Sequence, residues 1–211
     1  SPSFYGFFGN SVAMVENPSG LHMLIGAPNI GSCDTGDAHL FLSNSSGIVE
    51  NVISTGAPNS DFGSSAAILS RYNPDSLEHE IHFAIGNPGY NHPAGRINTY
   101  KSSSAAGIVS TGEIDALTLF PSLNGQNPLF GKYALAMDAT PSGELLYAIG
   151  TPERTAAPYG LYSGGAYVVT SGSTGFSGIE IPSSSNDGLT QPRFGADIDI
   201  LNGTNGWYCL V

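Results

Sequence analysis

The segment from Phe8 to Pro28, FGNSVAMVENPSGLHMLIGAP, decides the fold because the rest of the chain repeats its order. A Phe-Gly pair opens the segment, a strand-like stretch follows, and a short apolar run ends it with Ile-Gly-x-Pro. These two motifs recur along the chain, Phe-Gly at Phe62, Phe130 and Phe194, and Ile-Gly-x-Pro at Ile85 and Ile149. The Phe-to-Phe steps are 54, 68 and 64 residues, a period typical of propellers and solenoids.

Each repeat predicts four short strands. In the first, FGNSVAMV alternates as a strand does, and Asn17 to Gly20 supplies turn residues. HMLIG is short and apolar, which is typical of a strand buried on both faces. Two further strands follow at Asp37 to Leu42 and Ile48 to Ile53. Four such strands joined by tight turns make one propeller blade.

We therefore predict an all-β fold, a β-propeller of four-stranded antiparallel blades, with about three and a half blades in one partial propeller over residues 1–211. An unclosed propeller leaves strand edges and apolar faces uncovered, so either further sequence or another chain must complete it. Two copies of three and a half repeats would sum to seven. The predicted units are blade repeats 8–61, 62–129 and 130–193, and the first half of a fourth, 194–211.

The order of Phe-Gly, a small-apolar strand, Ile-Gly-x-Pro and then a glycine-led aromatic strand resembles the FG-GAP repeat of integrin-α-type β-propellers. The resemblance runs from Phe8 to Val211 and is nearest to the short versions found in extracellular, adhesin-like proteins. It implies a propeller that works outside the cell in adhesion, ligand binding or assembly, usually without catalysis.

The composition agrees with an extracellular setting. Only 11% of the residues are charged, and 17 acidic against six basic residues give a net charge of −11. So few basic residues disfavour binding to nucleic acid or to an anionic membrane. The excess of acidic residues keeps the protein soluble or, alternatively, binds a cationic partner. No apolar run is long enough for a transmembrane helix, so we expect no membrane insertion and a secreted or cell-surface location.

Two modifications typical of secreted proteins are predicted. N-glycosylation sequons lie at Asn44 and Asn202. The chain has two cysteines, Cys33 and Cys209, which allow one disulfide pairing if the first and last repeats lie close together.

The resemblance also raises the question of calcium, because integrin-type repeats carry a loop patterned Asp-x-Asp/Asn-x-Asp-Gly between the first two strands. Calcium prefers several carboxylate oxygens at close spacing. The loops of this chain have lost most of these carboxylates, and the alternative is a set of plain turns. The best remaining calcium candidate consists of Asp138, Thr140, Ser142 and Glu144.

Two other clusters of chemical groups have both a functional and a plain structural interpretation. The stretch Glu78-His79-Glu80-Ile81-His82 is the densest cluster of possible metal ligands, with His92 as a further candidate, although a strand would place His79 opposite Glu80 and His82. Asp197 and Asp199 share one side of a strand, but the carboxylate pair of a glycosidase usually comes from separate blades. The alternatives are a solvated loop and a polar strand edge.

These patterns give three hypotheses of function. The first is a non-catalytic module that recognises a protein or glycan through its loops, where Tyr90, Tyr159 and Tyr162 are candidate contacts. The second is a structural subunit of an extracellular filament or array, in which neighbouring chains complete the blades. The third, a glycan-cleaving enzyme, lacks a recognisable acid–base pair, so no enzymatic activity and no cofactor besides calcium are predicted.

Overall fold

The computed structural model shows an all-β chain that divides into two compact units. The first comprises Ser1–Asn87 and Ile97–Glu113, and the second comprises Pro88–Arg96 and Ile114–Val211. The prediction of an all-β fold is confirmed. The structure describes residues 7–29, 35–55, 57–89, 94–156, 161–162, 164–181, 193–203 and 206–211.

Sheet I forms the start of the first unit, and its strands are hydrogen-bonded in chain order. Each neighbouring pair is antiparallel. Two tight turns close at Gly20 and Gly47, whose φ angles of 132° and 125° favour glycine. The strands are β1 (Ser11–Asn17), β2 (Gly20–Ala27), β3 (Asp37–Asn44) and β4 (Gly47–Ser54).

Sheet II completes the first unit with the same order of four strands. Its first pair is antiparallel, and the partners run from Ala66 opposite Ile85 to Asn73 opposite Glu78. The strands are β5 (Ala66–Asn73), β6 (Glu78–Asn87), β7 (Arg96–Ser103) and β8 (Gly107–Asp115).

One face of sheet I packs on one face of sheet II to make the core of the first unit. The residues of this core are buried, and Phe62, from the second Phe-Gly pair, is fully enclosed among them. Tyr100 stacks on Phe83 with ring centroids 5.2 Å apart. The core consists of Leu24, Ala38, Leu40, Phe62, Ile81, Phe83 and Ile85.

The second unit begins with a four-residue helix, α1 (Ala116–Leu119), and a 3-10 turn over Pro121–Leu123. The Asp115 carboxylate caps α1 by accepting a hydrogen bond from the Thr118 backbone N–H at 2.8 Å. Sheet III follows in the order β14-β13-β10-β9. Its strands are β9 (Leu135–Ala139), β10 (Leu145–Gly150), β13 (Ala166–Gly172) and β14 (Gly175–Ile181).

Two strand pairs complete the second unit. The first is a short ribbon of β11 (Thr155–Ala156) and β12 (Leu161–Tyr162). The second, hairpin IV, pairs β15 (Asp199–Gly203) with β16 (Gly206–Leu210) in antiparallel fashion. Hairpin IV packs on sheet III through a buried cluster of Ala134, Leu146, Ala148, Ala166, Val168, Ile198 and Ile200.

The Phe-Gly pair joins neighbouring sheets within each unit. Its glycines, at residues 9, 63, 131 and 195, share φ angles of 87°, 94°, 83° and 84°. In the first two repeats the glycine N–H donates to the Ile-Gly carbonyl of its own repeat, from Gly9 to Gly26 and from Gly63 to Gly86, each at 3.0 Å. The Phe62 N–H donates to the Thr35 carbonyl of the preceding repeat at 3.2 Å. The repeated Phe-Gly motif therefore has a structural role, because its backbone hydrogen bonds connect neighbouring repeats.

None of the helices in the described part of the chain is long and apolar enough to cross a membrane. The expectation of no membrane insertion is consistent with this finding.

Candidate functional site

A pocket of about 510 Å³ opens in the first unit where the turns of sheets I and II meet. Sheet I contributes its β1–β2 turn and the end of β3, and sheet II contributes the start of β6 and the β7–β8 turn. This volume suits one small ligand or one side chain of a larger partner. Most of the lining surface is apolar, and hydroxyl, amide, imidazole and carboxylate groups supply its polar atoms. The lining residues are Asn17, Pro18, Ser19, His22, Leu42, Ser43, Asn44, Glu78, His79, Ile81, Ser102, Ser103 and Ser104.

His22 is a buried polar residue of the pocket. The Ser43 backbone N–H donates to its Nδ1 at 3.3 Å, which leaves the ring proton on Nε2. From there the ring donates to Asn17 Oδ1 at 3.0 Å. Burial lowers the pKa of His22, so its imidazole is neutral at physiological pH. His22 therefore holds the β1–β2 turn against β3 and has a structural role.

Asn17 fixes the shape of the pocket on the sheet I side. Its Oδ1 accepts hydrogen bonds from the Ser19 backbone N–H at 2.8 Å and from Ser19 Oγ at 2.6 Å. Its Nδ2 donates to Ser70 Oγ on β5 at 3.2 Å, which ties sheet I to sheet II. Because both ends of the amide are engaged, the pocket wall is preorganised before any ligand arrives.

The sheet II side of the pocket offers groups that face solvent. His79 is exposed, and its ring lies 5.4 Å from the Tyr72 ring. The Ser104 hydroxyl donates to the Glu78 carboxylate, which tethers the β7–β8 turn to the start of β6. These residues provide an imidazole, a carboxylate and several hydroxyls for hydrogen bonding to a ligand.

The cluster of possible metal ligands on β6 forms an ion-pair network. Buried Glu80 accepts hydrogen bonds from Asn73 Nδ2 at 3.0 Å and from Lys101 Nζ at 3.2 Å, and His82 Nε2 lies 3.3 Å from its other oxygen. Burial opposes ionisation of Glu80, but the Asn73 and Lys101 hydrogen bonds and the Lys101 charge give a lowered pKa. Burial lowers the pKa of His82 despite the nearby Glu80 carboxylate.

These contacts satisfy Glu80 with protein cations and amides. The described residues contain no group of three or more histidine, cysteine or acidic side chains placed to hold a metal ion. His92, the other member of the predicted set, lies outside the described residues. The network links β5, β6 and β7 and stabilises sheet II.

The calcium candidate from Asp138 to Glu144 forms a turn in which Asp138 and Thr140 make hydrogen bonds to other protein groups. Asp138 accepts hydrogen bonds from the Asn202 backbone N–H at 2.5 Å and from the Ala139 N–H at 2.7 Å. Thr140 Oγ1 lies 2.8 Å from Ser142 Oγ and accepts from the Glu144 N–H at 3.0 Å. Calcium at this turn stays a prediction, and these bonds give the oxygen atoms other partners.

The predicted modification sites lie in different surroundings. Asn44 is exposed at the end of β3, where its side chain accepts from the Ser46 N–H at 2.8 Å. Asn202 is partly buried near the end of β15. Cys209 on β16 has no disulfide partner among the described residues, and burial together with the Asp199 charge raises the pKa of its thiol. Cys33 lies outside the described residues, so the disulfide stays a prediction.

Asp197 and Asp199 belong to the second unit and do not line the pocket of the first unit. Tyr90 and Tyr159 lie outside the described residues, and Tyr162 belongs to β12 in the second unit. The carboxylates of Asp197 and Asp199 are exposed, and each accepts a hydrogen bond from the backbone N–H of the next residue, at 3.0 Å and 2.8 Å. The glycosidase hypothesis gains no support from these bonds.

Sequence reasoning missed the roles of His22 and Asn17. A signal was available, because His22 and His82 both lie three residues before the isoleucine of Ile-Gly in their repeats. Both are buried with a lowered pKa, so the equivalence reflects a shared structural position.

Comparison of the sequence with models of known protein families finds no match, and comparison with curated proteins finds none either.

Proposed function

We propose that this chain is a non-catalytic extracellular module that recognises a protein or glycan through the turns between its strands. The observation that carries the proposal is the pocket where the turns of sheets I and II meet. Its wall is fixed by His22 and Asn17, while Glu78, His79 and Ser104 present polar groups toward its opening. Hydroxyl, amide and carboxylate groups of this kind form hydrogen bonds with sugar hydroxyls and peptide groups.

The finer fold assignment is part of this proposal: the sheets are blades of a β-propeller similar to the FG-GAP type. Three observations support it. The strands of each four-stranded sheet follow one another in chain order. The Phe-Gly pair links neighbouring sheets in the first unit. In the second unit, the Gly165 N–H likewise donates to the Phe194 carbonyl at 3.0 Å. An experimental structure that showed the sheets without a common axis would contradict it.

A secreted or cell-surface location is also proposed. The net charge of −11 and the shortage of lysine and arginine support it. The exposed sequon residue Asn44 is accessible to modification. Mass spectrometry of protein secreted from a glycosylating host tests this point, since a glycan on Asn44 would shift the mass of its peptide.

Binding to glycan and extracellular-protein arrays tests the recognition proposal. Ser104 lines the pocket on the exposed β7–β8 turn, so Ser104→Trp should fill the opening and abolish binding. Ser173 lies on the exposed β13–β14 turn of sheet III, and Ser173→Trp is the matched control that should bind as the wild type does. Absence of wild-type binding on both arrays, or equal binding by S104W, would overturn the proposal.

A second candidate function is a structural subunit in which neighbouring chains complete the array of sheets. The observation that favours it is the exposure of large apolar side chains on sheet I and on hairpin IV, including Met14, Val52 and Leu210. Exposed apolar patches of this kind mark interaction surfaces. Electron microscopy of the concentrated protein should show regular multimers, and a uniformly monomeric sample would contradict this function.

A further inference from the structure

The two units each contain one sheet-to-sheet contact made in the same way. One face of sheet I, with Leu24 and Leu40, covers the face of sheet II that carries Phe83. One face of sheet III, with Ala148 and Val168, covers the face of hairpin IV. We call the covering face the forward face and the covered one the receiving face. In hairpin IV the receiving face consists of Ile198, Ile200 and Cys209.

Sheet I has a receiving face of its own, on which Val12, Met14 and Val52 of the outer strands are exposed, whereas Ile25 at its centre is buried. Strand pairing places Val12, Ile25, His39 and Val52 in one row on this face, and Met14, Met23 and Phe41 in the next. Val12 and Met14 follow Phe8 by four and six residues, as Ile198 and Ile200 follow Phe194. Met14 is 61% exposed, whereas its equivalent Ile200 is 4% exposed against sheet III.

The first Phe-Gly pair is likewise more exposed than the Phe-Gly pairs that follow a sheet in the same unit. Phe62 is 0% exposed because sheet I encloses it, whereas Phe8 is 54% exposed, and its ring centroid lies 5.0 Å from that of His39 in its own sheet. A β-carbon on Gly63 or Gly195 would stand 2.3 Å or 2.2 Å from a carbonyl oxygen of the preceding sheet. One on Gly9, which has the same positive φ, would meet nothing within 4 Å.

Hairpin IV has the complementary feature, an uncovered forward face. Leu201 pairs directly with Tyr208, and Leu210 follows on the same face of β16, where it pairs with Asp199. Cys209 lies on the other face of the hairpin. Leu210 is 76% exposed, and the other two are also exposed. Leu201 follows Phe194 by seven residues, as Val15 follows Phe8, and Val15 packs against the core between sheets I and II.

We propose that the forward face of hairpin IV in one copy of this chain binds the receiving face of sheet I in a second copy. This inference rests on the second candidate function and names its interface. The repeats indicate what binds the receiving face of sheet I. In both units, the receiving face of one sheet is covered by the forward face of the preceding sheet in the repeat order. The contact is heterologous, so it joins copies head to tail and builds chains or rings.

Sedimentation equilibrium of the 211-residue chain over a range of concentrations tests the proposal. The wild type should show a mass that rises with concentration above the 21.8 kDa of one copy. Met14→Glu and Leu210→Glu each place a charge in one of the two faces and should weaken self-association at least about tenfold, since burying an unpaired charge is costly. Leu77→Glu, on the exposed β5–β6 turn outside both faces, is the control and should associate as the wild type does.

A mixing experiment tests the head-to-tail geometry. M14E keeps an intact forward face and L210E keeps an intact receiving face, so an equimolar mixture should form dimers that grow no further. Thermal unfolding should be nearly unchanged, because both side chains are exposed.

The outcomes separate the interface from the function it rests on. A wild type that is monomeric at all concentrations would overturn both. If M14E alone and L210E alone form multimers as stable as those of the wild type, the proposed interface is wrong, although the subunit function is not. Larger multimers in the M14E and L210E mixture would overturn the head-to-tail geometry.

Discussion

Gly26 lies directly against the carbonyl of Gly63, so that a β-carbon on Gly26 would stand 1.9 Å from the Gly63 oxygen. The second unit repeats the relationship between Gly150 and Gly195 at 2.0 Å. The glycine of Ile-Gly and the glycine of the next Phe-Gly thus mark a point where two successive sheets approach each other closely. At both positions the nearest atom belongs to the backbone, which moves less readily than a side chain.

Replacing Gly26 by alanine should therefore separate the two sheets and destabilise the first unit. The expected loss in the free energy of unfolding is about 1–3 kcal/mol or more, as for an overpacked core. Chemical denaturation measures it. Gly172→Ala is the control, because the new β-carbon would meet its nearest atom at 3.6 Å, an ordinary contact. Equal stability of G26A and G172A would contradict the close approach.

The phenylalanines at the head of the first two repeats should differ sharply in their contribution to stability. Phe62 is enclosed in the core between sheets I and II, so Phe62→Ala should cost about 3–5 kcal/mol. Phe8 occupies the same motif position but is exposed, so Phe8→Ala should cost less than about 1 kcal/mol. Urea denaturation of dilute samples measures both, and similar losses for the two variants would contradict the difference in packing.

The strands were the part of the fold that the sequence predicted well. Alternation in FGNSVAMV and the apolar run HMLIG correspond to β1 and β2, because period and burial are local properties of a strand. The repeat also places Gly26 and Gly150 at equivalent positions, and both lie close to the backbone of the next Phe-Gly glycine. The helix α1 was not predicted, since four residues are too few to show a helical period.

The pocket was beyond the reach of sequence reasoning for a physical reason. It is built from turns near Asn17 and Ser103, which are 86 residues apart and carry no common motif. Their proximity depends on how sheets I and II pack, which the repeat pattern alone leaves open. The sequence suggested instead a metal site on β6 that included Glu80 and His82. In the structure Glu80 pairs with His82 and with Lys101, which lies on β7.

Arg154 should contribute more to stability than any exposed ion pair of the second unit. Its Nε donates to Gln126 Oε1 at 2.6 Å, and its Nη1 donates to Tyr167 Oη at 2.9 Å and to the Glu180 carboxylate. Burial raises the pKa of Tyr167 to about 12, so the hydroxyl stays neutral. Arg154→Met should therefore leave buried polar groups unpaired and cost about 1–3 kcal/mol, measured by denaturant unfolding.

Lys132 provides the comparison for this prediction. Its ammonium pairs with Glu153 at 3.4 Å in a partly exposed position, so Lys132→Met should cost no more than about 1 kcal/mol. A larger loss for K132M than for R154M would show that the Arg154 network is not the stronger of the two.

The stability of the first unit should fall as the pH drops below about 6.5, the usual pKa of histidine. Burial lowers the pKa of both His22 and His82 in the folded chain. The unfolded chain then binds protons at a higher pH than the folded chain does, so acid favours unfolding. The histidine contribution is complete above about pH 6.5 and is lost as the pH falls toward the lower folded pKa values. The lowered pKa of Glu80 acts in the same direction at still lower pH.

Denaturant unfolding at pH 7.5, 6.5, 5.5 and 5.0, conditions chosen to bracket the ordinary histidine pKa of about 6.5, measures this dependence. His82→Gln removes one of the two buried imidazoles and should reduce the slope of stability against pH across this range, whatever its effect at pH 7.5. His79→Gln introduces the same side chain at the exposed neighbour on β6 and should keep the wild-type slope. If H82Q loses stability with acid as steeply as H79Q does, the buried imidazole of His82 is not a source of the acid sensitivity.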